Sequence, residues 1–177
     1  LIRYALPNLL FRYVFILDFN YTASTRLILK QCGLSDEDID NRLIKVHGEA
    51  SNNDIIFGVE DNAGIKKEHV FLRKAYNIKY KALNFSELYD RIKSVAIFGH
   101  SLGETDHTYF NKLFQESCMY NKFSTNNNKE FWLFYYKENG YHCMMQQLDS
   151  LTHNSLTSFR QYNRVNFINT DKEKVFI

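Results

Sequence analysis

Arg12-Tyr13-Val14-Phe15-Ile16-Leu17-Asp18-Phe19-Asn20 is the stretch on which the fold turns. Its apolar character is nearly continuous and its residues are largely β-branched or aromatic, the pattern of a strand buried on both faces. Such strands belong to parallel sheets covered by helices, because a sheet with one wet face alternates apolar and polar positions instead. After it, Thr22 or Ser24 is placed to cap a helix through Arg26-Leu27-Ile28-Leu29-Lys30, with Gly33 as its stop. Ser35-Asp36-Glu37-Asp38 opens a short acidic turn, and Leu43-Ile44-Lys45-Val46 predicts a second strand closing on His47-Gly48. Asp54-Ile55-Ile56-Phe57-Gly58-Val59 predicts a third. From Lys66 to Ile92 the apolar spacing is helical in two pieces, through Val70, Phe71 and Ala75, then Leu83, Leu88 and Ile92. Ser94-Val95-Ala96-Ile97-Phe98 predicts the next strand, and Phe110, Leu113 and Phe114 the apolar face of a following helix. Phe131 to Tyr136 predicts a strand, Met144 to Leu151 a helix and Val165 to Ile168 a last strand, with Asn126-Asn127-Asn128 as a loop. Short apolar strands alternating with helices make an α/β protein with a mostly parallel sheet flanked by helices.

Composition narrows the function. The chain has 177 residues, 45% hydrophobic and 24% charged, enough for a core and for one domain over 1–177. Aromatic residues reach 16%, which excludes a disordered solvating segment. One Pro and 7 Gly exclude collagen-like chains, Pro-rich linkers and a fold with several glycine loops in this stretch. A net charge of +2 and a pI near 8.4 give no concentrated basic face, which argues against nucleic acid as partner. The Lys66-Lys67 and Lys79-Lys81 groups read as solvated faces. Cys32, Cys118 and Cys143 are odd in number and far apart, so neither a disulfide framework nor a zinc site is expected. Mostly buried, reduced thiols in a cytoplasmic protein fit that usage. The apolar run from Tyr13 to Leu17 is too short to span a bilayer, and no metal or membrane is expected as partner. Leu1-Ile2-Arg3-Tyr4 opens inside an element, which predicts that the chain is the C-terminal part of a longer one.

In open parallel sheets, ligands bind outside the C-terminal ends of the strands. Three such ends carry unusual polar residues: Asn20-Tyr21-Thr22, His47-Gly48, and Gly99-His100-Ser101-Leu102 with Asp106 shortly after. Gly99-His100-Ser101-Leu102-Gly103 also matches G-x-S-x-G, the elbow that exposes a nucleophilic serine in α/β-hydrolases. A serine hydrolase using Ser101 needs an acid and then a histidine from separate strand-end loops. Asp106 and His107 come too early for that, and Asp149 and His153 fall on one expected helix.

Taken in order, Asn20-Tyr21-Thr22, Val46-His47-Gly48, Asp54-Ile55-Ile56-Phe57-Gly58 and the block Phe98-Gly99-His100-Ser101-Leu102-Gly103-Glu104-Thr105-Asp106 resemble the bacterial AbiH family of phage abortive-infection proteins. The likeness covers about residues 14 to 110. That family is similar to the sirtuin-like domains of bacterial defence systems, so the resemblance implies a Rossmann-like fold and NAD or a related nucleotide as substrate or ligand. It implies that Asn20 contacts the nicotinamide ribose and that His47 is the general base on a ribose hydroxyl. Gly99 and Ser101 then belong to the loop cradling the adenosine-side ribose and phosphate, and Asp106 closes the signature. Tyr21, Gly48 and His100 complete the implied contact set. The family's front glycine loop is absent from this stretch, Thr22 stands where many sirtuin-like domains carry Asp, and no four-cysteine zinc module is present.

Two further readings stand beside NAD hydrolysis: a non-catalytic nucleotide- or protein-binding sensor module, and the serine hydrolase. A phage component or a second copy of the chain is the expected protein partner.

Overall fold

The computed structural model describes residues 14–59, 63–76, 92–119 and 128–172. Arg12, Tyr13, the helical pattern through Leu83 and Leu88, Lys79-Lys81 and Asn126-Asn127 lie outside them. The chain divides into two compact units, Leu1–Lys81 and Ala82–Ile177.

In the first unit β1 (Ile16–Asp18) pairs in parallel with β2 (Leu43–Lys45), so that Ile16, Leu17 and Asp18 face Leu43, Ile44 and Lys45. Parallel neighbours need a crossover, and here it is made by α1 (Ser24–Gln31) and the short α2 (Asp36–Asp40). Helix α1 starts after Ala23 with no side-chain cap; the hydroxyls of Thr22 and Ser24, the expected caps, bond to each other at 3.0 Å. Gly33 does end the helix, at φ +88, with its N–H on the Lys30 carbonyl. Ser35 caps α2 by accepting the Asp38 N–H at 3.1 Å. Leu29 and Ile39 carry the buried side of the crossover.

Two expected elements take another form. Asp54–Val59 does not pair as a strand: its one described ladder contact is an isolated bridge from Val59 to Arg73, while Ile56 is buried and Phe57 is 70% exposed. The segment plugs the core with Ile56 instead of joining a sheet. Residues 67–72 and 74–76 form 3-10 turns instead of an α-helix. Phe71 and Leu72 are exposed there, so no buried face is present to favour α-helical propagation.

The second unit holds a parallel sheet in the order β3-β4-β5, made of β3 (Ser94–Ile97), β4 (Glu130–Tyr135) and β5 (Arg164–Asn169). Helix α3 (His107–Ser117) links β3 to β4, and α4 (Lys137–Leu151) with α5 (Leu156–Tyr162) links β4 to β5. Central β4 is the most buried strand, as its apolar run demands. Phe114 of α3, Phe131 of β4 and Phe159 of α5 form a closed aromatic triangle, with centroids 5.5, 5.5 and 4.8 Å apart, and all three side chains are fully buried. Beside it, buried Asn163 donates to the Ser117 carbonyl at 2.7 Å and the Phe159 carbonyl at 2.8 Å, and accepts the Lys129 N–H at 3.2 Å. One amide thereby satisfies the loose ends of two helices and the start of β4.

Both units thus have parallel sheets flanked by helices, the open α/β arrangement expected of a Rossmann-like fold. Among the described residues no helix is long and apolar enough to cross a membrane. The thiols differ from expectation: Cys32 and Cys143 are exposed. Cys118 is half-buried; its Sγ–H donates to the Phe114 carbonyl at 3.2 Å, and burial pushes its thiol pKa up.

Three outcomes are expected. Phe159→Ala should destabilise the protein by about 3–5 kcal/mol in denaturant melts. Gly140→Ala should stabilise it by about 0.5–1 kcal/mol, because α4 gains helix propensity and the nearest atom to the new Cβ is Tyr135 Cβ at 3.9 Å. Iodoacetamide at neutral pH should modify Cys32 and Cys143 before Cys118, as read by peptide mass spectrometry.

Candidate functional site

Parallel pairing sends the residues that leave each strand's C-terminus to one edge of its sheet. In the first unit that edge gathers Asn20 and Tyr21 after β1 with His47 and Gly48 after β2. The His47 ring is buried, with the Phe19 ring at 5.5 Å edge-on and the Tyr21 ring at 6.0 Å. Phe57 continues the aromatic row at 5.4 Å from Tyr21. Asn20 is exposed.

Beneath these side chains lies a charged knot that sequence reading missed. Asp18 and Lys45 are cross-strand partners, each the lone charge in an apolar strand. Lys45 Nζ donates to Asp18 Oδ2 at 2.9 Å and to the carbonyls of Asn20 and Thr22, both at 2.6 Å; Glu49 Oε2 stands 3.7 Å away. The other Asp18 oxygen accepts the Asn20 N–H at 2.9 Å. Ser51 adds its hydroxyl to Glu49 Oε1. The Asp18 side chain is only 3% exposed, so its charge is balanced by the knot and not by bulk water. The readable signal was a single charge inside each of two adjacent apolar strands.

Gly48 has a structural reason to be glycine. Its φ is +75, and a Cβ there would stand 2.1 Å from the Asp54 carbonyl oxygen. Asp54 in turn accepts the Glu49 N–H on Oδ1 at 2.6 Å, and the Ile56 N–H donates to the His47 carbonyl at 2.9 Å. The Asp54–Gly58 segment therefore holds the His47-Gly48 turn from behind.

The second unit gathers Gly99, His100, Ser101 and Asp106 after β3. Gly99 has φ +66 and nothing within 4 Å of a would-be Cβ, so its backbone faces open space. His100 Nδ1 accepts the Leu102 N–H at 2.9 Å, which leaves the ring proton on Nε2, 3.3 Å from Asp106 Oδ2. The Phe110 ring packs on the imidazole at 5.3 Å. Both ring nitrogens are thus engaged in holding the turn. Leu102 bears the conformational strain, with φ 55 and a fully buried side chain. Its carbonyl lies 3.0 Å from His107 Nε2, which also meets Gln147 Oε1 at 2.8 Å.

This lock keeps Ser101 outside any helix: a 3-10 turn occupies Glu104–Asp106 and α3 starts only at His107. It also weighs against the hydrolase elbow. The amide after the serine should serve an oxyanion, whereas the Leu102 N–H is given to His100. Nor do Asp149 and His153 share a helix, since α4 ends at Leu151. Among the described residues no group of three or more His, Cys, Asp or Glu side chains is placed to hold a metal ion.

Parallel sheets with glycine, histidine and asparagine collected where the strands end define an open α/β protein with its polar surface at the strand termini. The family model for bacteriophage abortive infection AbiH proteins matches residues 6–136, and the chain belongs to that family. Its role is accordingly in abortive-infection defence against phage. No curated protein and no solved structure matches it.

Gly48→Ala should cost more than about 1 kcal/mol of stability, from the positive φ alone, and the loss should be visible in a thermal melt. A fluorophosphonate probe should leave Ser101 unlabelled under conditions that label a serine hydrolase.

Proposed function

We propose that this AbiH protein binds NAD or a related nucleotide at its strand-end residues and hydrolyses it, lowering the pool of an infected cell. The observation that carries this reading is the placement of His47. It stands at the C-terminal end of a parallel strand, where such folds bind ligands, with the ring of Tyr21 from the turn after the neighbouring strand 6.0 Å away. A neutral imidazole nitrogen can take up a proton, which suits abstraction from a ribose hydroxyl. In the reaction, the bond between the ribose anomeric carbon and the nicotinamide nitrogen breaks, and the electron pair leaves with nicotinamide. Water supplies the hydroxyl on that carbon, so NAD and water give ADP-ribose, nicotinamide and a proton.

Asn20 offers its side chain to the ribose and Tyr21 an aromatic face. The second unit has a strand-end turn of its own, where His100 and Asp106 hold in shape the open Gly99 backbone and the exposed Ser101 hydroxyl, groups that suit a phosphate or a sugar. A cytoplasmic location goes with that substrate pool, and a phage component or association of copies is the proposed trigger. No metal enters this reaction.

The test measures nicotinamide release from NAD by purified protein, with phage lysate added as the source of trigger. His47→Ala should lower the rate by about a hundredfold or more. A rate equal to wild type would remove His47 as the base, and calorimetric binding of NAD without turnover would favour a sensor module instead.

A further inference from the structure

The charged knot under the first strand-end cluster has a consequence for the side chains above it. The Lys45 ammonium reaches the Asn20 and Thr22 carbonyls, and its four-oxygen surroundings resemble those of a bound ion: Asp18 Oδ2 at 2.9 Å, two carbonyls at 2.6 Å and Glu49 Oε2 at 3.7 Å. Its side chain is 16% exposed, against 3% for Asp18 and 10% for Glu49. The segment it grips, Asn20-Tyr21-Thr22, comes after β1 as a turn and is not part of the sheet ladder. Besides Lys45, the turn is held by the Asn20 N–H on Asp18 Oδ1, the Ala50 N–H on the Tyr21 carbonyl, the contact between the Thr22 and Ser24 hydroxyls, and the packing of the Tyr21 ring against His47 and Phe57. Asp18 is itself oriented by Lys45, so loss of the ammonium loosens the Asn20 contact as well. The turn in its place brings the Tyr21 ring toward His47.

We propose that Lys45 is a positioning residue, an internal cation whose ammonium fixes the Asn20-Tyr21-Thr22 turn and thereby the approach of Asn20 and Tyr21 to His47. The importance of this for nucleotide binding rests on the function proposed above; the geometric part does not. Two carbonyls and two carboxylates converge on one small donor with tetrahedral N–H vectors, which a methionine cannot replace and a planar guanidinium fits poorly. Cutting the side chain to alanine leaves a negatively lined slot the size of a short alkylammonium, open to solvent at its mouth.

The experiment compares wild type, Lys45→Ala and Lys45→Met. The first readout is the NMR signals of the His47 ring protons, which feel the ring currents of Phe19 and Tyr21. The second is the NAD dissociation constant by calorimetry. Lys45→Ala should shift the His47 signals and weaken NAD binding by about tenfold or more. Propylammonium, which supplies the missing carbons and N–H donors, should restore both. Tetramethylammonium, with no N–H, should restore neither. If the alanine variant does not fold, Lys45→Met keeps the apolar stem and carries the His47 readout alone. Unchanged His47 signals in a folded variant, or equal effects of the two ammonium ions, would overturn the proposal. A wild-type protein that does not bind NAD would count against the nucleotide reading, while the His47 signals would still decide the role of Lys45.

Discussion

Every described strand pair in this protein is parallel, and the site depends on that constraint. Parallel neighbours cannot be joined by a tight turn, so each pair carries a helical crossover and each sheet is wrapped. The same geometry sorts the chain: segments entering the strands lie along one edge of a sheet, and segments leaving them lie along the opposite edge. Asn20, Tyr21, His47 and Gly48 meet in the first unit for this reason, although 27 residues separate Asp18 from Lys45.

Holding those residues still is a separate problem, and each unit solves it differently. In the first unit a nearly buried carboxylate and a lysine tie the strand ends together. Removing one member of such a pair costs about 3–5 kcal/mol, because the other charge is left stranded. In the second unit the turn after β3 is locked around an imidazole. The His100 ring takes an amide proton on one nitrogen and faces Asp106 with the other, while Leu102 is driven into the core at a backbone angle that leucine rarely adopts. Burial of that side chain offsets the strain. The Phe110 ring, 5.3 Å from the His100 ring, packs directly on this turn.

Much of the architecture was legible from residues because apolar strands and amphipathic helices are written locally. The five strands and the helix of Phe110, Leu113 and Phe114 appear where their patterns put them. Asp54–Val59 misled because an apolar run reports burial, not pairing: Ile56 is buried as a plug with no ladder beside it. Lys66–Leu72 misled because helical spacing matters only when a face is buried, and Phe71 and Leu72 are not. The glycines and histidines expected at strand ends do lie at the edge by which the chain leaves the strands. The support beneath them was hidden, since Lys45 and Asp18 acquire meaning only once the register sets one against the other. Gly48 looked like an allowance for a ligand, whereas the Asp54 carbonyl already occupies the space its side chain would take.

That last contact links two stretches of chain as units of inheritance. A side chain at position 48 is admissible only if the backbone at 54 moves, and Asp54 cannot move without releasing the Glu49 amide and, through Ile56, the His47 carbonyl. Neither stretch can drift alone. Any descendant that keeps the His47-Gly48 turn is bound to keep a partner of the same shape behind it, so a histidine-glycine pair and a downstream aspartate at this separation form one signature and not two.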